Sequence, residues 1–200
     1  IELDPENSTV LEAHAQILAL QGKTDQAIEQ MNQIIAQGEK ASDQHQGLKK
    51  DLAKSYMRRG LFILSTRANL PQAISDFNRA AVLVPAVSTY AALAGNAYLE
   101  QHELARAWTE FERALQKDPN DALAHIGKSR VYAEKKEYQQ ALNEIDLVIE
   151  TKTQLPAVYS VRAQIYAELG NLELALRDNT TALELADAPK QPHETTAASL

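Results

Sequence analysis

The chain has 200 residues, 44% hydrophobic and 24% charged, the mixture of an ordinary globular protein. Its 20 Lys and Arg against 27 Asp and Glu give a net charge of −7, which argues against bulk binding of nucleic acid or anionic membrane, since both require a basic face. Cysteine is absent, which excludes disulfides, thiolate chemistry and cysteine metal sites, and no apolar run approaches the ~20 residues of a membrane-spanning helix.

Taken in order, residues 1–7 read as the end of a preceding repeat. The chain opens on Ile1 without a methionine, a charged leader or an apolar leader, as a piece of a longer protein would. Residues 8–41 form a first unit of two helices around a polar turn at 22–24, and residues 42–45 a linker. A second unit spans 46–87, with its turn near 67–70, and is eight residues longer than its neighbours. Units at 88–121, 122–155 and 156–189 follow, with turns at 101–103, 135–137 and 169–171, and residues 190–200 form a tail. Gly22 and Gly170 suit a left-handed helix end, and Asn69 can cap the helix that Pro71 enters.

The unit boundaries come from rows of residues that recur at a fixed period, the mark of a repeat architecture. Ala73, Ala107, Ala141 and Ala175 stand 34 apart, and Ala27 takes the same place in the first unit. A tyrosine row runs through Tyr56, Tyr98, Tyr132 and Tyr166, with Leu18 in its place at the start. A small-residue row lies three positions earlier, at Ala15, Ala53, Gly95, Ser129 and Ala163. Large apolar residues follow each aligned alanine at Met31, Phe77, Phe111 and Ile145, and Asn179 breaks the row. Spacings of 3, 4 and 7 are helical. Small residues let two axes approach, giving antiparallel hairpins that bury their apolar faces only by stacking on neighbours.

This pattern resembles the tetratricopeptide repeat (TPR) family, and its cysteine-free, Gln- and Ala-rich style resembles bacterial members. The best unit is AALAGNAYLEQHELARAWTEFERALQKDP, residues 91–119. Departures are the first-helix Trp, replaced by Leu11, Lys49, Ala91, His125 and Tyr159, and the closing Pro, replaced by Glu39, Thr153 and Asp187. The resemblance implies an all-α, right-handed superhelix of about five hairpins, with first helices lining a concave groove that holds a peptide or partner protein. It implies no enzymatic activity and no cofactor. A different reading makes the chain the regulatory or targeting arm of a larger enzyme, and a third is self-association through exposed apolar surface. Compartment stays open between bacterial cytoplasm and cell envelope.

No P-loop, GxGxxG, GxSxG or HExxH motif occurs, and no two of the five histidines share helical metal-ligand spacing. The groove rows implied by the resemblance put Lys50, Lys54 and Arg58 on the second unit, Asn96 on the third and Arg130 on the fourth. The first three lie at i, i+4 and i+8 on one helix face, where like charges repel, in a chain of net charge −7. One explanation is an anionic partner, either an acidic peptide or a C-terminal carboxylate. The other is pairing between repeats, Arg58 with Glu100 or Lys50 with Glu12. TPR domains that hold chaperone C-termini use a Lys, two Asn, a second Lys and an Arg. Here Lys50, Asn96 and Arg130 match, while Lys54 stands in place of an Asn and Ile126 in place of the second Lys. The glutamates Glu100, Glu134 and Glu168 repeat as a solvated ladder, and Trp108 is expected to pack in the core. The eight extra residues fall between Tyr56 and Ala73. Continued as helix, they carry Ile63 inward and leave Leu61 and Phe62 as an apolar tip, folded back on Leu70 or serving as a second contact surface.

Overall fold

The computed structural model describes residues 5–42, 46–151 and 154–188; the expected linker from residue 43, the expected tail at 190–200 and Thr153 lie outside the described residues. The described residues are 84% helical and contain no strand. The helices are α1 (Pro5–Leu20), α2 (Thr24–Ser42), α3 (Lys49–Thr66), α4 (Leu70–Leu83), α5 (Thr89–Glu100), α6 (Leu104–Lys117), α7 (Ala122–Glu134), α8 (Tyr138–Glu150), α9 (Pro156–Glu168) and α10 (Leu172–Asp187). The chain divides into two compact units, one up to Gly127 and one from Lys128.

In the first unit, α1 pairs with α2, α3 with α4 and α5 with α6, and each first helix also packs on the preceding second helix. Close approach within a hairpin needs a small residue opposite a large one. A Cβ on Gly95 would stand 2.6 Å from the Phe111 ring, and a Cβ on Gly60 would stand 2.7 Å from the Phe77 ring. Phe77, Phe111 and Met31 are fully buried. One cluster joins Ile63, Ala73, Ile74 and Phe77 to Leu93, Ala94 and Ala97 of α5. In the second unit, α9 packs with α10 and on α8. Val131, Ile145, Val148, Val158 and Ile165 are its large buried apolar residues, and the buried Ser129 hydroxyl donates to the Ala141 carbonyl at 2.8 Å.

The first helices end at a left-handed residue, seven positions after the small one. These residues are Gly22, Arg67, His102, Lys136 and Gly170, with φ of 76°, 55°, 58°, 62° and 76°. Both expected glycines hold this role. The Asn69 side chain accepts from the Gln72 backbone N–H with Pro71 in the first turn, as the turn chemistry requires.

The second hairpin departs from the expected register. Phe77 comes 17 residues after Gly60, whereas 16 separate Ala15 from Met31, Gly95 from Phe111 and Ser129 from Ile145. One of the eight extra residues therefore sits in the turn, where Ala68 separates left-handed Arg67 from the cap Asn69. The other seven precede Gly60, where they supply a short 3-10 turn at Gln46–Leu48 and lengthen α3 at its N-terminal end by just over one turn relative to α5 and α7. Accordingly α3 has 18 residues, against 12 in α5 and 13 in α7, with 16 in α1. Gly60, not Ala53, is the structural counterpart of Gly95, and Ile63, not Tyr56, that of Tyr98. Ile63 is buried, as expected.

Leu61 and Phe62 therefore form no protruding tip. They sit on the continuous helix level with Asn96 and Ala97, and Phe62 packs against the first hairpin's cluster of Ala15, Ala27, Met31 and Ile34. Tyr56 packs one junction earlier, with Ile35, Leu52, Ala80, Ala81 and Tyr90. Asn179, expected on a packing face, is exposed on α10, as are Leu172, Leu176 and Leu183.

Candidate partner-binding surface

Two sets of charged residues have to be separated, those the fold consumes and those it leaves on the surface. The first set follows the repeat. Immediately before the small residue of each first helix stand His14, Arg59, Ala94, Lys128 and Arg162. Immediately before the large residue of each second helix, or Asn179 in its place, stand Gln30, Asp76, Glu110, Glu144 and Asp178. His14 meets Gln30 at 2.9 Å, and Lys128 meets Glu144 at 3.1 Å. Arg59 grips buried Asp76 through two bonds of 2.8 and 2.6 Å and reaches Asn32 of α2 at 2.9 Å. Arg162 grips buried Asp178 at 2.6 and 3.0 Å and reaches Asp146 of α8 at 2.9 Å. Each guanidinium thus ties its own second helix to the preceding one by charge-assisted bonds.

Titration behaviour follows these contacts. The hydrogen bond from Arg162 to Asp178, outweighing burial, raises the guanidinium pKa above its ordinary value. For Arg59, burial acts downward but the bond and charge of Asp76 outweigh it. Tyr56 is pushed up to about 12 by burial and by its hydrogen bond to Glu39. These shifts belong to structural pairs rather than to a reactive cleft. Neither Arg59 nor Arg162 stands out in the sequence as a site residue; the signal was present as an Arg before a small residue and an Asp before the core residue of the next helix.

Arg58 belongs with the consumed set. Its Nη1 lies 2.7 Å from Glu12 of α1, whose other oxygen accepts from Ser55 at 2.7 Å. Pairing between repeats thus holds for Arg58, though with Glu12 rather than Glu100. Glu100 instead meets Arg67 at 2.7 Å, because the two-turn displacement brings Arg67 level with the end of α5. Glu134 and Glu168 are exposed, while Trp108 is half-buried on α6.

The second set remains at the surface. Lys50 is exposed and has no ion pair among the described residues, and Lys54 has only a local contact of 3.5 Å with Asp51, three residues away. Positions 50, 54 and 61 are separated by 4 and 7, so Lys50, Lys54 and Leu61 lie along one stripe of α3. Leu61 is 37% exposed, and Asn96 is half-buried at the same level of α5. Arg130 lies on α7 in the second unit, half-buried and engaged in an interaction of its own. Because the register of α3 is set by Gly60, seven residues after Ala53, Met57 and Leu61 now occupy the positions that the chaperone-clamp comparison gave to the two lysines. Among the described residues there is no cluster of three metal-ligating side chains and no helix long and apolar enough to cross a membrane.

Helical hairpins joined first helix onto preceding second helix, with a small residue opposite each large one, make a TPR solenoid. The tetratricopeptide repeat family model matches residues 98–165. The thermophilic TPR protein TTC0263 of Thermus thermophilus superposes with a TM-score of 0.67 at 20% identity, covering 96% of this chain and 97% of that one. PilW, a type IV pilus biogenesis factor, superposes at 0.67 with 15% identity over 92% and 79%. MamA superposes at 0.55 with 20% identity over 92% and 96%. No curated protein matches the chain in sequence. The family match over residues 98–165 and the structural likeness at these identities speak for a tetratricopeptide-repeat fold.

Proposed function

We propose that the chain is a protein-interaction scaffold that holds a peptide or protein segment with an anionic group against α3 and α5. The observation that carries this reading is the uncommitted pair Lys50 and Lys54. In a chain of net charge −7, where four of the five hairpins spend a cation or histidine on contacts within the fold, the N-terminal half of α3 carries these two lysines on one stripe. Mechanism here means recognition. Helices already packed in place bear the ordering cost before the partner arrives, so a flexible segment is held by few contacts. Asn96 offers a neutral amide beside the stripe. Arg130, on α7 in the second compact unit, is a candidate contact by its place in the sequence repeat alone.

The test is capture of partners by the 200-residue chain, followed by titration of the captured partner. Charge-assisted bonds are worth ~1.5–3 kcal/mol each when well formed. Lys54→Glu is therefore expected to weaken binding at least tenfold and to flatten its salt dependence. Unchanged affinity for the natural partner in that variant rejects the reading.

A further inference from the structure

We infer that the α3 surface reads a two-part signal, an apolar side chain and an acidic group about three residues apart in an extended peptide. This rests on the scaffold reading above and specifies its ligand. The register of the second hairpin supplies the geometry. In the row that runs Gln16, Leu61, Asn96, Arg130 and Gln164, Leu61 is the sole apolar member. It is not consumed by the core, since it remains 37% exposed while its neighbours Gly60 and Ile63 are buried. Met57, half-buried one turn earlier, extends the apolar surface beside it.

Lys54 stands seven residues before Leu61 on the same stripe, which at 1.5 Å per residue is about 10 Å along the helix. An extended peptide advances about 3.3 Å per residue and covers that distance in about three residues. Lys50, four residues further on, lies about 16 Å from Leu61 and meets a second acidic group about five residues from the apolar one. The charge fixes the occupant's sign. Arg58, the remaining cation on this side of α3, is neutralised by Glu12, and Lys54 has one local carboxylate at 3.5 Å. The stripe thus changes along its length from basic to apolar, and Asn96 at the apolar end is placed to bond a peptide amide. Such a surface prefers an acidic peptide with an apolar anchor over one that is acidic throughout, because the second leaves Leu61 against water.

The experiment uses fluorescein-labelled Gly/Ser peptides with a single Leu and a single Asp, their separation varied from one to six residues, with a matched series lacking Leu. Binding to the whole chain is read by anisotropy. The tightest binding is expected at a separation of three, at least tenfold over a separation of one. Leu61→Asn, which restores the amide carried by Asn96, is expected to erase the preference for Leu and keep the preference for Asp. Leu61→Met keeps both, and an unchanged circular dichroism spectrum establishes that each variant folds. Affinity independent of separation, or a Leu preference intact in Leu61→Asn, overturns the inference. Binding of acidic peptides that is lost in Lys54→Glu but indifferent to Leu overturns it and leaves the scaffold reading standing. No binding by any peptide overturns the inference, and a natural partner indifferent to Lys54→Glu removes the scaffold reading separately.

Discussion

Glu110 occupies on α6 the place of Asp76, Glu144 and Asp178 on their helices, but its counterpart on α5 is Ala94, which is fully buried and carries no charge. Its carboxylate falls back on Arg113, three residues on at 2.9 Å, in a geometry that leaves Oε2 without a hydrogen bond. Burial raises its pKa, and Arg113 and Lys117 only partly oppose this. The sign follows from linkage. A carboxyl whose folded pKa exceeds its unfolded one favours the folded state at low pH, and that contribution is lost as pH rises through the folded value. Glu110→Gln removes the ionisation. In urea titrations the variant is expected to match or exceed the parent in stability at about pH 7 and to lose any advantage near pH 4. A variant weaker than the parent at neutral pH and equal to it in acid shows that the Arg113 pair outweighs burial. The gap at Ala94 was visible in the sequence once the alternation of cation and carboxylate was laid over the repeat. The raised pKa was not, because it depends on how closely α6 is covered.

Elements divide in the same way. The helices were legible from apolar spacing, except that α1 already begins at Pro5, inside the stretch assigned to a preceding repeat, and the turns at 101–103, 135–137 and 169–171 fell where the polar breaks lay. The second hairpin misled because counting from Tyr56 assigns all eight extra residues to one side. Packing distributes them, since a helix slides by whole turns and seven residues preserve the buried face almost unrotated. Only the contact of Gly60 with Phe77 reveals that slide, and it requires the two helices in place. The same register carried Leu61 and Phe62 from an expected tip to the level of Asn96 and Ala97. Turn conformation was legible where glycine occupied it and hidden at Arg67, His102 and Lys136, whose side chains tolerate a positive φ at a cost of ~1–2 kcal/mol. Lys136 is exposed and has no ion pair among the described residues. Lys136→Gly is expected to stabilise the chain by ~0.5–1 kcal/mol, measured by chemical denaturation. A loss of stability would mean that the lysine side chain holds the turn. Gly60→Ala acts oppositely. Its new methyl meets the buried Phe77 ring, and a loss of ~1–3 kcal/mol is expected.

At the scale of the molecule, stability in a repeat chain is a sum of hairpin terms and junction terms, so damage spreads to neighbours and then fades. Arg162 is a sharp place to test this, because one guanidinium serves α8, α9 and α10 through Asp146 and Asp178. Arg162→Met retains most of the side-chain volume but strands Asp178, whose side chain is only 2% exposed and whose other cation, Arg177, stands 4.0 Å away. Removing one partner of a buried pair costs ~3–5 kcal/mol, chiefly because the remaining charge is left without compensation. Hydrogen exchange should place that cost in α8, α9 and α10, whose amides are expected to lose protection, while the amides of α3 and α4, held by the separate Arg59–Asp76 pair, keep theirs. Arg162→Lys distinguishes charge from geometry, since an ammonium retains the attraction without the two-pronged grip, and intermediate protection is expected. Uniform loss of protection from α1 to α10 would show a single cooperative block in place of neighbour-by-neighbour coupling. In that case the sequence period would describe how the chain is built but not how it comes apart.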